Sequence, residues 1–140
     1  MNKLHIIRHG ETKWNVERKM QGHLDSPLTE KGIAQAFLVK KCLSKETIDF
    51  IYSSSCKRTI ETATIISGDK SIIPNDNLKE IKLGIMEGKN LDTIKKYYQN
   101  EYNSFWNKPS EFKAEGAETF KELQERVVLY IIYQTTILTP

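Results

Sequence analysis

Leu4-His5-Ile6-Ile7-Arg8-His9-Gly10-Glu11-Thr12 reads as a short apolar strand, residues 3–8, that stops at an arginine and a histidine. Two polar, ionisable side chains at a strand end need water, a partner or a ligand, because burying a bare charge is costly. Gly10 lets the backbone turn and approach a neighbour closely. Ligand sites of open α/β sheets gather at the carboxyl ends of strands, where this triplet falls. His9 is therefore a candidate nucleophile, and Arg8 a candidate holder of the anion it attacks. A solvated strand end explains these three residues alone almost as well.

Downstream, residues 9–27 form a long polar loop, in which Trp14 is expected as an anchor to the body. Long polar loops after buried strands are more often functional than idle. Thr29 has the character of an N-cap for a helix reaching about Ser44, with Glu30 complementing the helix dipole. Ile33, Ala36, Phe37, Val39 and Leu43 lie broadly on one side of it. A second strand spans Asp49 to Ser53 and runs through a serine turn into a helix closed near Gly68. The start of that helix offers free amides to an anion. Arg58 sits in its first turn, where a cation opposes the dipole, yet a surface arginine is the simpler reading of that residue alone.

Ser71 to Pro74 is a third short strand, followed by an extended loop, Leu78 to Gly88, with two glycines and two carboxylates. Asn90 suits the cap of a helix through about Tyr98, Pro109 interrupts the pattern, and Ala117 to about Tyr133 reads as helix. The last residues, Tyr130 to Pro140, are β-branched and aromatic without a polar face. Strand–helix alternation in a short chain argues α/β architecture with parallel pairing and right-handed crossovers.

The totals narrow the classes. With 140 residues the chain has room for one domain, expected over 1–140, around a single core. Net charge is +3 and the pI about 8.8, too weak an excess to indicate nucleic acid but compatible with a small anionic ligand. Cys42 and Cys56 match no metal or redox spacing, so reduced thiols in a cytoplasmic protein are expected. The start of the chain lacks a secretory h-region, and the longest apolar run, Val127 to Tyr133, is too short to span a bilayer. Scattered lysines without interleaved aromatic platforms argue against a nucleic-acid partner. No metal-ligand cluster and no cofactor motif is visible, so cations would do the electrostatic work of any phosphoryl transfer.

Arg8-His9-Gly10-Glu11-Thr12-Lys13-Trp14-Asn15 resembles the signature of the histidine phosphatase superfamily, the phosphoglycerate mutase-like proteins. The resemblance continues through Gln21 to Thr29, Tyr52-Ser53-Ser54, Arg58 to Ala63, and Leu78-Lys79-Glu80 with Gly84 and Glu87-Gly88. Gly116-Ala117-Glu118 is loosely similar to a later family segment. The resemblance implies a three-layer α/β/α fold with a mostly parallel sheet. It implies His9 as the residue phosphorylated, with Arg8 and Arg58 clamping phosphoryl oxygens and Glu80 protonating the leaving group. Gly10, Glu11, Thr12, Asn15, Gln21 and Gly22 would line the substrate pocket, and His23 would be structural or substrate-facing. A small phosphorylated substrate is the implied partner. The residues after Glu80 are more similar to the phosphatase than to the mutase branch.

The family carries a second catalytic histidine in a late strand, whereas this sequence holds only His5, His9 and His23. The expectation is a C-terminally shortened member lacking that strand, either cut down from a longer phosphatase or a paralogue with another task. The first strand would then have an open edge, closed by the apolar tail or by a homodimer. Loss of one preorganised donor costs ~10²–10³ in rate. Weak phosphatase activity, mutase-type phosphotransfer, and inactive binding of phosphorylated ligands follow as alternatives.

Overall fold

The computed structural model describes the backbone of residues 3–137 and the side chains of residues 3–134. Its elements run α1 (Lys13–Val16), α2 (Glu30–Cys42), β1 (Tyr52–Ser54), α3 (Lys57–Ser67), β2 (Ile73–Asn75), α4 (Leu91–Tyr97), α5 (Gln99–Asn107) and α6 (Phe120–Ile137). Short 3-10 turns occur at Asp76–Leu78, Gly84–Met86 and Pro109–Glu111. The fold is α/β with a small parallel sheet: β1 and β2 pair in the register Tyr52↔Ile73, Ser53↔Pro74, Ser54↔Asn75.

Local signals set several boundaries. The Thr29 hydroxyl accepts from the Gly32 amide at 3.0 Å and starts α2. Asn90 does the same for α4 through the Thr93 amide at 2.8 Å. Gly68, at φ +62°, ends α3. The polar loop contains α1, closed by a reciprocal Thr12–Asn15 capping box.

Residues 3–8 differ from the expected first strand. They join no sheet, and among the described residues their amides find no backbone partner. Leu4 is 64% and Ile6 85% exposed, which a buried strand would not allow. A strand exists only through a neighbour's hydrogen bonds, and apolar sequence cannot supply that neighbour. The tail differs as well: α6 continues through residue 137, with Tyr130 edge-on to Tyr52 and the Tyr52 hydroxyl donating to Gln134 Oε1 at 2.9 Å. Those two residues are four apart on one helix face, so tertiary contact outweighs β-branched propensity. The expectation for residues 138–140 lies outside the described residues.

The main core lies in the second half of the chain. Ile81, Leu83, Met86, Ile94 and Phe112 are buried together, with Phe105, Phe120 and Leu123 against them. Phe105, Phe112 and Phe120 meet in edge and tilted ring contacts. Three of these core residues come from the loop read as extended, Leu78 to Gly88, so that loop is anchored from beneath by its own apolar side chains. Away from this cluster, α2 packs against α3, and α3 against β1.

Candidate active site

His9 reaches its place by a close backbone approach. A Cβ on Gly10 would collide with the carbonyl of Gly32 in α2, and one on Gly32 would meet the backbone of Glu11. The Gly10 amide donates to Thr62 Oγ1 of α3 at 3.1 Å. The unladdered segment is thus pinned at its far end by two helices. His9 is half-buried, with Nδ1 2.7 Å from the Gly10 carbonyl. A carbonyl only accepts, so Nδ1 carries the hydrogen and Nε2 keeps its lone pair. Burial lowers the His9 pKa below the ordinary 6.5, and Arg58 and Arg8 push it down further against the raising effects of the Gly10 bond and Glu80. A neutral imidazole with a free Nε2 results.

Arg58 is 1% exposed, so the simpler reading of this residue taken alone, a surface arginine, does not hold. The first turn of α3 points it into the loop of residues 20–25. Nη1 donates to the Leu24 carbonyl at 2.7 Å and to Asp25 Oδ1 at 2.9 Å. Nη2 donates to the Gly22 carbonyl at 2.8 Å and to Glu80 Oε2 at 3.0 Å. Asp25 also accepts from the amides of Lys57 and Arg58, at 2.8 and 3.3 Å. It therefore caps α3 and offsets the cation that the helix dipole disfavours there. Nε of Arg58 has no partner among the described residues. Arg8, by contrast, is exposed and carries no hydrogen bond or ion pair among them.

Glu80 stands between the 3-10 turns at 76–78 and 84–86, its side chain 47% exposed and joined to Arg58. Arg58 and Glu80 are thus paired directly, Arg8 and His9 adjoin in the chain, and the charges of Arg8, Arg58 and Glu80 all bear on the imidazole. Gly22 joins them through its carbonyl on Arg58, and Gln21 is buried beside it with Oε1 unpartnered among the described residues. Thr12 and Asn15 are occupied with each other: Asn15 Oδ1 accepts from the Thr12 amide at 2.9 Å. Glu11 turns to α2, accepting from Thr29 Oγ1 at 2.9 Å and Lys31 Nζ at 3.0 Å. His23 donates from Nε2 to the Glu80 carbonyl at 3.0 Å.

Asp25, Thr62 and Glu87 fall inside the motifs that carry the resemblance, but sequence reasoning gave none of them a role. Glu87 Oε1 accepts from the amides of His23 and Leu83, at 3.0 and 2.9 Å, and so ties two loops together. No local pattern shows what these residues bond, because each lies 33 or more residues from at least one partner. A cleft of about 210 Å³ touches Arg8, His9 and Gly10 from the side of Gln35, Ala36, Val39 and Thr62. Arg58 and Glu80 do not line it. Chemically, the cluster can offer an anion the exposed Arg8 guanidinium, the His9 Nε2 lone pair as nucleophile and the Glu80 carboxyl group for proton transfer, with Arg58 reaching it only as its bond to Glu80 is released.

Known proteins resemble the chain over most of its length. A family model described as the histidine phosphatase superfamily (branch 1) matches residues 4–132. The Escherichia coli protein named Probable phosphoglycerate mutase GpmB is 36% identical over 129 residues, 91% of this chain and 60% of its own length. The chain thus spans about 60% of the curated relatives it matches. Among solved structures, Bacillus stearothermophilus YhfR superposes with a TM-score of 0.90 at 39% identity, over 94% of this chain and 66% of its own. The alpha-ribazole phosphatase from Shigella flexneri gives a TM-score of 0.85 at 26% identity, over the same shares of the two chains.

Proposed function

Because the chain belongs to branch 1 of the histidine phosphatase superfamily, we propose that it hydrolyses phosphomonoesters through a phosphohistidine formed at His9. The observation that carries this reading is the Nδ1–Gly10 carbonyl bond, which leaves Nε2 unprotonated beside Arg8 and Arg58. Nε2 attacks phosphorus and forms a P–N bond as the P–O ester bond breaks, while Glu80 gives its proton to the departing alkoxide. Water then attacks the phosphohistidine, the P–N bond breaks, and Glu80 takes the proton that water loses. An alcohol and inorganic phosphate leave, and His9 returns neutral. Arg8 and Arg58 neutralise the equatorial oxygens through both steps. For Glu80 to act, its bond to Arg58 gives way to one with substrate.

A mutase-type reaction shares the first step and hands the phosphoryl group to a second alcohol instead of water. The name of the E. coli relative favours it, while the names of the solved alpha-ribazole phosphatase and of the mycobacterial glucosyl-3-phosphoglycerate phosphatase favour hydrolysis. A small phosphorylated metabolite suits either.

The test is hydrolysis of 4-nitrophenyl phosphate by the purified chain beside His9→Ala, with an acid-quenched sample examined for phosphate on His9 by mass spectrometry. Turnover with label on His9 supports the reading. Stabilisation of the wild type by vanadate without turnover assigns the site to ligand binding instead.

A further inference from the structure

Glu80 lies on a segment without regular secondary structure, yet a general acid needs a fixed position relative to the leaving oxygen. Among the described residues its carboxylate has one partner, Arg58, which the reaction exchanges for substrate. Something else therefore holds the residue. The Glu80 carbonyl accepts from Arg126 Nη2 and His23 Nε2, each at 3.0 Å.

Arg126 comes from α6, far along the chain, and grips the segment at more than one point. Its Nη1 donates to the Asn77 carbonyl at 2.8 Å. Its Nε and Nη2 bind the two oxygens of Glu118, each at 2.7 Å, the bidentate geometry of an arginine–carboxylate pair. Glu118 in turn accepts from the Lys82 amide at 2.8 Å, and its own amide donates to the Lys82 carbonyl at 3.0 Å. One arginine–glutamate pair thus holds residues 77, 80 and 82, on both sides of the acid. Burial raises the Glu118 pKa, but its bonds to Arg126 and Lys82 outweigh this and keep it below its ordinary value. Both side chains are mostly buried, so the pair is shielded from competing water.

We propose that Arg126, fixed by Glu118, is a positioning residue for proton transfer by Glu80, acting through the Glu80 carbonyl without touching substrate. This rests on the hydrolytic reading above.

The discriminating measurement is the dependence on leaving group. 2,4-Dinitrophenolate departs without a proton, whereas an alkoxide needs one. Wild type, Arg126→Lys and Glu118→Gln are compared on 2,4-dinitrophenyl phosphate and glycerol phosphate. Lys121→Ala, an exposed change on the same helix, serves as control. Arg126→Lys is expected to lose at least about tenfold more kcat/KM on the alkyl ester than on the activated one, within the ~10²–10⁴ a general acid supplies. Glu118→Gln moves in the same direction, and Lys121→Ala behaves as wild type. Equal losses on both esters, or none, overturn the positioning role and leave the hydrolytic reading standing. If Arg126→Lys does not fold, the Glu118→Gln ratio decides alone by the same criterion. A wild type that cleaves neither ester overturns the hydrolytic reading and this inference with it.

Discussion

Asp25 and Arg58 are joined twice: Asp25 Oδ1 accepts from both Arg58 Nη1, at 2.9 Å, and the Arg58 amide, at 3.3 Å. One carboxylate therefore starts α3 and neutralises the cation that the same helix carries in its first turn. Asp25→Ala removes a helix cap and leaves a buried guanidinium short of its main counter-charge, for a loss of about 2–4 kcal/mol. Urea unfolding of the variant beside wild type measures it. A change under about 0.5 kcal/mol, the level of an ordinary surface substitution, contradicts the structural role given to Asp25.

The lowered pKa of His9 has a defined sign. Its folded value lies below 6.5, so between the two values the unfolded chain binds more protons than the native one. The stability associated with a neutral imidazole is present above 6.5 and is lost as pH falls through the lowered folded value. Catalysis follows the same direction: the acid limb of kcat/KM falls below pH 6.5. Arg8→Ala removes one of the charges holding the value down, so the limb moves upward. An NMR titration of His9 in wild type and Arg8→Ala measures both shifts, and an unmoved or lower value in the variant contradicts the assignment.

Glu80→Gln keeps a similar shape but cannot give up a proton. Hydrolysis of an alkyl phosphate is expected to fall ~10²–10⁴-fold, with a much smaller effect on an ester of an acidic phenol. Parallel kinetics on the two esters test this directly. Equal effects would make Glu80 a binding residue rather than the acid.

Gly10→Ala places a methyl group against the Gly32 carbonyl, a backbone atom that cannot turn away. The contact forces the segment and α2 apart, at a cost of about 1–3 kcal/mol. Because His9 is the preceding residue, activity falls more steeply than stability. Thermal melting and kcat/KM measured together show this, and equal tolerance of Ala and Gly at position 10 would argue against the close approach.

Phe112→Ala empties the middle of the aromatic cluster under the Glu80 loop. Phe112 is 1% exposed, so the expected loss is about 3–5 kcal/mol. Chemical denaturation is the measurement, and a loss below about 1 kcal/mol would place the core elsewhere.

What could be read from sequence was local chemistry. Thr29, Asn90 and Gly68 act where their side chains or backbone freedom predict, since a cap needs only atoms a few residues away. Strand–helix alternation indicated the α/β class, and the resemblance carried by the Arg8-His9-Gly10 run and the motifs through Glu87-Gly88 indicated the family, whose model matches residues 4–132. Tertiary structure decided the rest. Whether residues 3–8 form a strand depends on a partner's amides and carbonyls, and among the described residues none is supplied. Whether Arg58 faces water or the interior depends on Asp25 and Glu80, neither of them its neighbour in sequence. The His9 tautomer depends on the rotation of one carbonyl, and the hold on Glu80 on an arginine 46 residues away. Local patterns report short-range energies, whereas a site is assembled from groups that meet only when the chain is folded.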